Sequence, residues 1–203
     1  MENYADLMFT EAVAGLQEAA GSRERYQTLY PHRTTEVLGG QERTFIEARQ
    51  SFYIASINSD GWPYIQHRGG PAGFLKVVGP TRVACADYKG NRQYITQGNL
   101  ATETRVSVFL MDYLNKARLK MQGHARLTPI SDADPEVARA LDLAPPAERV
   151  LVIDLVAIDW NCPQFIPDLY PAAVAQDAVA RATRALSEEI AALKQELQRR
   201  DGA

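Results

Sequence analysis

The chain has 203 residues, 46% hydrophobic and 23% charged, an ordinary composition for a soluble globular protein and enough length for one domain with appendages. A net charge of −3 argues against a general nucleic-acid binder, and no apolar run reaches membrane-spanning length. The opening residues, Met1-Glu2-Asn3-Tyr4-Ala5-Asp6, lack the basic and apolar segments of a signal peptide, so a cytoplasmic protein is expected. In that compartment Cys85 and Cys162 stay reduced. Neither thiol shows metal-ligand spacing with His32, His67 or His124, which speaks against a metal site.

Residues 9 to 30 read as one amphipathic helix: Thr10 can cap it, Glu11 suits its first turn, and Val13, Leu16 and Ala20 share a face. Pro31 ends that pattern, and a short helix follows over 41 to 50. Strands begin at 51 to 58, where Asn58-Ser59-Asp60-Gly61 supplies hairpin turn chemistry. Further strands are expected at 62 to 68, 73 to 78, 81 to 87, 105 to 112, 117 to 127 and 149 to 158. Their short, regular spacing predicts an antiparallel barrel, closed or nearly so.

Two helical interruptions are expected, one after Asn91 and one from Asp134, with Pro135 in its first turn and Pro145-Pro146 beyond its end. From Pro171 the composition turns to Ala, Glu, Gln, Arg and Leu, and Leu186, Ile190, Leu193 and Leu197 recur at helical spacing. This amphipathic helix could pack on its own barrel or form a short coiled coil with a second subunit. With barely two clean heptads, packing on a dimer is preferred. The organisation is thus an N-terminal helical extension over 1–40, a barrel domain over 41–170 and a C-terminal helix over 171–203.

Two strand ends lead into loops rich in cations and hydrogen-bond donors: His67-Arg68-Gly69-Gly70 and Tyr88-Lys89-Gly90-Asn91-Arg92-Gln93. Charge-assisted donors suit a phosphate, and glycine lets the backbone approach it. Lys89, Asn91 and Arg92 lead into a helical turn and read as a phosphate cradle, or as an ordinary basic turn. Ala84-Cys85-Ala86-Asp87 has small side chains that would leave room for a ring. Together these point to a flavin mononucleotide (FMN) site. Arg68 is a candidate for the ring's pyrimidine edge or the phosphate, and His67, on the other face of its strand, reads as a hydrogen-bonded structural histidine. Arg105, Arg118 and Lys120 lie on or beside strands. Arg118 and Lys120 share a face, reaching a flavin oxygen or lining the solvent face of an edge strand. Trp160 and Asn161 could cover and hydrogen-bond a ring, or Trp160 could close a barrel end. Cys162 has no activating base nearby in sequence and is not a nucleophile candidate. Hydrolase, dinucleotide and Walker motifs are missing.

As a set, FYIASINSDGWPYIQHRGGPAGFLKVV, ADYKGNRQYITQGNL, RVSVFLMDY, LKMQGHARL and WNCPQFIP resemble the pyridoxamine 5'-phosphate oxidase-like flavin-binding proteins, over about Phe45 to Tyr170. The resemblance implies a mainly β fold with flanking helices, a six-stranded antiparallel Greek-key split barrel. It implies a homodimer with FMN in clefts at the subunit interface. Arg68 falls at the family's flavin-contacting arginine, Asn91 and Arg92 at its phosphate-holding pair, and Lys76 at a further lysine. Arg118 stands where the oxidases proper carry a flavin-contacting glutamine, and Trp160 and Asn161 would come from the second subunit. The oxidases' substrate-binding groups have no counterpart in LTPISDADPEVARALDL or WNCPQF, and Phe165 replaces an expected histidine.

The expected function is flavin-mediated hydride or electron transfer from a reduced nicotinamide or other small donor to an unidentified acceptor, other than pyridoxamine phosphate oxidation. The alternatives are a flavin- or haem-binding sensor or carrier without turnover, and a deazaflavin-dependent reductase.

Overall fold

The computed structural model describes residues 1–141, 143, 147–161 and 163–201. Pro145-Pro146 and Cys162, named above, lie outside the described residues. The chain divides into two compact units, one of Met1–Asp112 with Ala117–Pro163, the other of Tyr113–Lys116 with Gln164–Ala203.

The first unit is built on one antiparallel sheet of seven strands: β1 (Ser51–Ile57), β2 (Pro63–Gly69), β3 (Leu75–Gly79), β4 (Arg82–Tyr88), β5 (Arg105–Asp112), β6 (Ala117–Pro129) and β7 (Ala147–Trp160). All seven were legible as alternating or apolar runs, one more than the family resemblance implied. Their order is β2-β1-β5-β6-β7-β4-β3. Phe52, Ile54, Val108, Leu110, Leu119, Met121, Val83, Leu151 and Ile153 point to one side of these strands and are buried almost completely in a single core. Each such side chain contributes roughly 1.5–3 kcal/mol through the water it gives up.

The ends of the sheet meet. Arg68 on β2 is hydrogen-bonded to Asp87 on β4, although these strands stand near opposite ends of the pairing order. The sheet therefore curls into a barrel that is joined at the split by side chains, and the fold is a mainly β split barrel with flanking helices. Among the described strands β6 is central, between β5 and β7, so Arg118 and Lys120 do not line an edge strand as one reading had it.

Helix α4 (Gly40–Glu47) is fastened to the barrel by its own residues. Buried Glu42 accepts from Gly39 N and from the Trp160 indole N–H at 3.0 Å, and Phe45 meets Trp160 edge-on at 4.7 Å. Arg49 stacks over Phe45 and pairs with Asp112 at 2.7 Å.

The N-terminal extension is more broken than its periodicity suggested. One helix over 9 to 30 was expected. The chain instead forms α1 (Tyr4–Met8), α2 (Glu11–Ala19) and α3 (Arg23–Leu29), with a 3₁₀ turn at Tyr30–Arg33. Gly21 adopts φ 67°, a left-handed conformation that ends α2. Thr10 caps α2 as expected, accepting from Val13 N, but Leu16 is 72% exposed and Gln17 takes the buried position. Phe9, Tyr26 and Tyr30 instead make a small aromatic core. Burial, then the Asp159 charge, pushes the Tyr30 phenol up to about 12. Two further helices are α5 (Ile95–Leu100) and α6 (Pro135–Leu141). The second unit carries α7 (Ala172–Asp201), and there Lys116 donates to Asp168 at 2.8 Å.

The longest ladder joins β6 to β7 and shifts register between Gln122 and Gly123. A Cβ at Gly123 would lie 2.5 Å from the Asp154 carbonyl oxygen, so only glycine lets β7 approach there. Gly123→Ala is expected to cost about 1–3 kcal/mol, the usual penalty for overpacking. A fall in melting temperature of roughly 2–12 °C measures it, and an unchanged transition would refute the close approach.

Candidate functional site

The split of the barrel carries a cleft. Its floor is a chain of polar groups assembled from four elements. Arg68 Nη1 donates to Asp87 Oδ1, and Arg149 Nε donates to Asp87 Oδ2 at 2.8 Å. Arg68 Nη2 donates to Gln66 Oε1 at 3.3 Å, and that oxygen also accepts from the Thr96 hydroxyl at 2.7 Å. β2 supplies Gln66 and Arg68, alternate residues on one face, while Asp87 and Arg149 are cross-strand partners of β4 and β7. All three charged side chains are less than a fifth exposed. Burial works against the Arg149 charge, but the hydrogen bond and charge of Asp87 outweigh it and hold that guanidinium protonated beyond its ordinary value.

Arg68 Nε is buried and has no hydrogen-bond partner among the described residues. A buried N–H without an acceptor costs about 1–3 kcal/mol. It is the kind of donor that a ligand oxygen would satisfy.

The loop after β4 forms the cleft's rim. Asn91 Oδ1 accepts from Gln93 N at 3.2 Å, tightening the turn. Arg92 and Tyr94 both take left-handed backbone, φ 59° and 55°, which is unfavourable for side chains of their size. Strain of this kind costs of order 1–3 kcal/mol per residue and concentrates at ligand sites. Among the described residues Arg92 has no ion-pair or hydrogen-bond partner, so its guanidinium is available to solvent. Tyr88 and Tyr94 are each half exposed beside it, and Arg149 lies 5.6 Å from the Tyr94 ring centroid.

The cleft is open to solvent and encloses a cavity of about 80 Å³. Arg68, Asn91 and Arg92 all line it, as do Gln66, Tyr88 and Tyr94. A free guanidinium, amides, a buried unsatisfied N–H and exposed aromatic rings fit a phosphorylated planar ligand such as FMN. The family model for pyridoxamine 5'-phosphate oxidase matches residues 38–159, which contain every one of these groups. The chain belongs to the pyridoxamine 5'-phosphate oxidase family. No curated protein matches the chain.

Solved structures similar in fold to this family member include the HupZ protein of Group A Streptococcus, 12% identical with a TM-score of 0.48, covering 65% of this chain and 99% of that one. An FMN-binding protein from Syntrophomonas wolfei is 15% identical with a TM-score of 0.42, covering 71% and 97%. At that distance neither says what this chain binds.

The other residues singled out in the sequence lie elsewhere. Lys89 is exposed next to the cleft but does not line it. Lys76 on β3 pairs with Glu47 at 3.9 Å. Arg118, Trp160 and Asn161 gather at another place, where Asn161 N donates to the Arg118 carbonyl and Leu119 is the cross-strand partner of Trp160. There the Trp160 indole is engaged by α4. Lys120 is held by Asp159 and lies over the Tyr4 ring, and exposed Arg105 pairs with Glu103. His67 is exposed, edge-on to Tyr53, and has no hydrogen bond among the described residues, which corrects its reading as a hydrogen-bonded histidine. Ala84 is not open to a ring either, because Val137 of α6, Val150 and Val152 cover it. Phe165 takes φ 61° and is fully exposed.

Sequence reasoning missed Gln66, Thr96, Tyr94 and Arg149. Only Gln66 carried a local signal, its two-residue spacing from Arg68. Arg149 lies 62 residues from the carboxylate that it shares.

Removing buried Asp87 would strand two partly buried guanidiniums. Asp87→Ala is expected to lower the unfolding free energy by about 3–5 kcal/mol. Asp154, more than a third exposed between Arg82 and Arg126, provides the contrast, and Asp154→Ala is expected to cost about 1 kcal/mol or less. Urea unfolding of both variants checks this, and equal losses would contradict it. Desolvation opposes the Asp154 charge, but the two arginines hold its carboxyl below the usual range. That modest contribution is therefore present above the unfolded carboxylate's pKa and is lost as pH falls through the lower folded one.

Burial pushes the Cys85 thiol up to about 12, leaving almost no thiolate near neutrality. Iodoacetamide at pH 8 is expected to leave the Cys85 peptide unmodified in folded protein and to label it in urea, as read by peptide mass. Labelling of the folded chain at Cys85 would contradict the burial.

Proposed function

We infer that the cleft binds flavin mononucleotide and that the chain is an FMN-dependent oxidoreductase acting on a small molecule other than pyridoxamine phosphate. The observation that carries this reading is the meeting of Arg68 with Asn91 and Arg92, from separate strands and a strained loop, in one cleft with a buried unsatisfied donor. Asn91 and Arg92 would hold the phosphate through amide and charge-assisted hydrogen bonds. Gln66 and Arg68 would take the polar edge of the ring, and Tyr88 and Tyr94 its apolar faces. Bound flavin would supply hydride or electron transfer between a reduced nicotinamide or other small donor and an acceptor.

The protein's own part is to position and tune. Asp87 fixes Arg68 and Arg149 in place, and three guanidiniums against Asp87 and Glu148 leave the cleft positive, which favours a ligand that gains negative charge on reduction. The segments at 127–143 and 160–165 lack the groups that the oxidases proper use for their substrate, hence the different substrate class. A homodimer belongs to this reading. Tyr53, Ile57 and Ile65 form an exposed apolar strip across β1 and β2, with Trp62 in the turn between them, as a surface awaiting cover does. Arg118, Trp160 and Asn161 would then serve the second subunit's cleft.

The test is a visible absorption titration of purified protein with FMN, with Arg92→Ala alongside. The expected result is a two-banded flavin spectrum, bleached by reduced nicotinamide, with affinity about 10–100-fold weaker in the variant through loss of one charged contact. A protein that takes up no FMN would sink the reading, and FMN uptake without bleaching would make the chain a carrier rather than an oxidoreductase.

A further inference from the structure

Helix α7 runs for 30 residues, about 45 Å at the α-helical rise, and every residue from Ala175 to Arg200 is exposed. Isolated helices of ordinary sequence are marginal in water, so a helix this long needs a surface to bury its apolar stripe. The stripe is longer than Leu186–Leu197. Val179, Leu186, Ile190, Leu193 and Leu197 are all 52–66% exposed and follow at intervals of seven, four, three and four residues. With Thr183 between the first two, they fill consecutive d and a positions of a heptad repeat. Val179, Leu186 and Leu193 fall at d, and Thr183, Ile190 and Leu197 at a. The central d-a-d run is Leu-Ile-Leu, and β-branched a with leucine d is the combination that favours two parallel strands.

The flanking charges select the partner. Glu189 occupies g and Lys194 the following e, the positions that face each other across a parallel, in-register pair of identical helices. Each pairing would occur twice by symmetry. An antiparallel pair would instead set Glu189 against Glu196, both at g. Within one helix neither residue has a use for its charge: positions three and four away from Glu189 are Leu186, Ala185, Ala192 and Leu193, and those around Lys194 are Ala191, Ile190, Leu197 and Gln198. Neither makes an ion pair among the described residues. The next g–e pair would join Glu196 and Asp201, two acids, so the zipper ends before it.

We propose that α7 is a dimerisation element that zips in parallel, in register, with the α7 of a second copy of this chain over Val179–Leu197. The inference rests on the helix alone and is independent of the flavin reading. At under three heptads the contact is weak by itself. Tethered to any contact made elsewhere by the same two chains, it acts at high effective concentration.

Analytical ultracentrifugation of the full chain tests it at low salt. Glu189→Lys and Lys194→Glu, each alone, place like charges opposite one another twice and are expected to weaken dimerisation about five- to thirty-fold. The double variant E189K/K194E reverses both members and is expected to restore it, a rescue that no change in helix propensity can produce. High salt is expected to shrink the single-variant losses. Leu193→Cys is expected to oxidise to a covalent dimer, since only parallel helices bring position 193 opposite itself. A dimer indifferent to both charge changes, failure of the double variant to rescue, or no crosslink at 193 would overturn the proposal. FMN titration of the same variants, at protein concentrations where sedimentation still shows the dimer, is expected to be unchanged within twofold, so a loss of flavin binding there would count against the cleft and not against the zipper.

Discussion

The Arg68–Asp87–Arg149 cluster is the contact on which the architecture of the first unit turns. An antiparallel sheet with two free ends leaves unpaired backbone along both. Here β2 and β3 stand at those ends, and β2 reaches β4 through a largely buried ion pair rather than through a ladder. Charges taken from water repay their desolvation only when geometry and further hydrogen bonds satisfy them. Asp87 meets that condition by accepting from two guanidiniums, and Arg68 meets it in part, with Gln66 on one nitrogen and no partner for Nε among the described residues.

That incompleteness connects the fold to the site. A fully satisfied core network would rigidify the split and offer nothing to a ligand. The cluster instead sits at the floor of an open cleft, with one donor unspent and a net positive field above it. The rim adds Arg92 on left-handed backbone, a conformation that the loop tolerates because Asn91 fastens the turn on one side and α5 begins on the other. The cations of this cleft are thus of two kinds. Arg68 and Arg149 are structural charges held by Asp87, with Glu148 beside Arg149, and Arg92, unpaired among the described residues, is open to a ligand.

Several features were legible in the sequence because they depend on short-range physics. The seven strands follow from alternation and from turn residues between them, and Thr10 and Pro135 mark helix starts. Arg68, Asn91 and Arg92 stood out by the company of glycine and amide residues in loops. Other readings failed where tertiary packing overrode local pattern. The face of Val13 and Leu16 should have been inward by periodicity, yet the aromatic trio of Phe9, Tyr26 and Tyr30 took the buried side. Small side chains at Ala84 suggested room for a ring, but α6 fills it. Trp160 was open to two readings, and the distant carboxylate of Glu42 turned its indole toward α4.

The sequence by itself determined the strands, the caps, the family and the heptad rhythm of α7, because each is written in residues within a few positions of one another. Only the tertiary structure decided that Arg68 shares a carboxylate with Arg149, that Lys76, Arg118 and Trp160 stand outside the cleft, and that the stripe of α7 faces solvent. Those outcomes depend on how the sheet curls, which brings together charges up to 62 residues apart, and no local spacing encodes that approach.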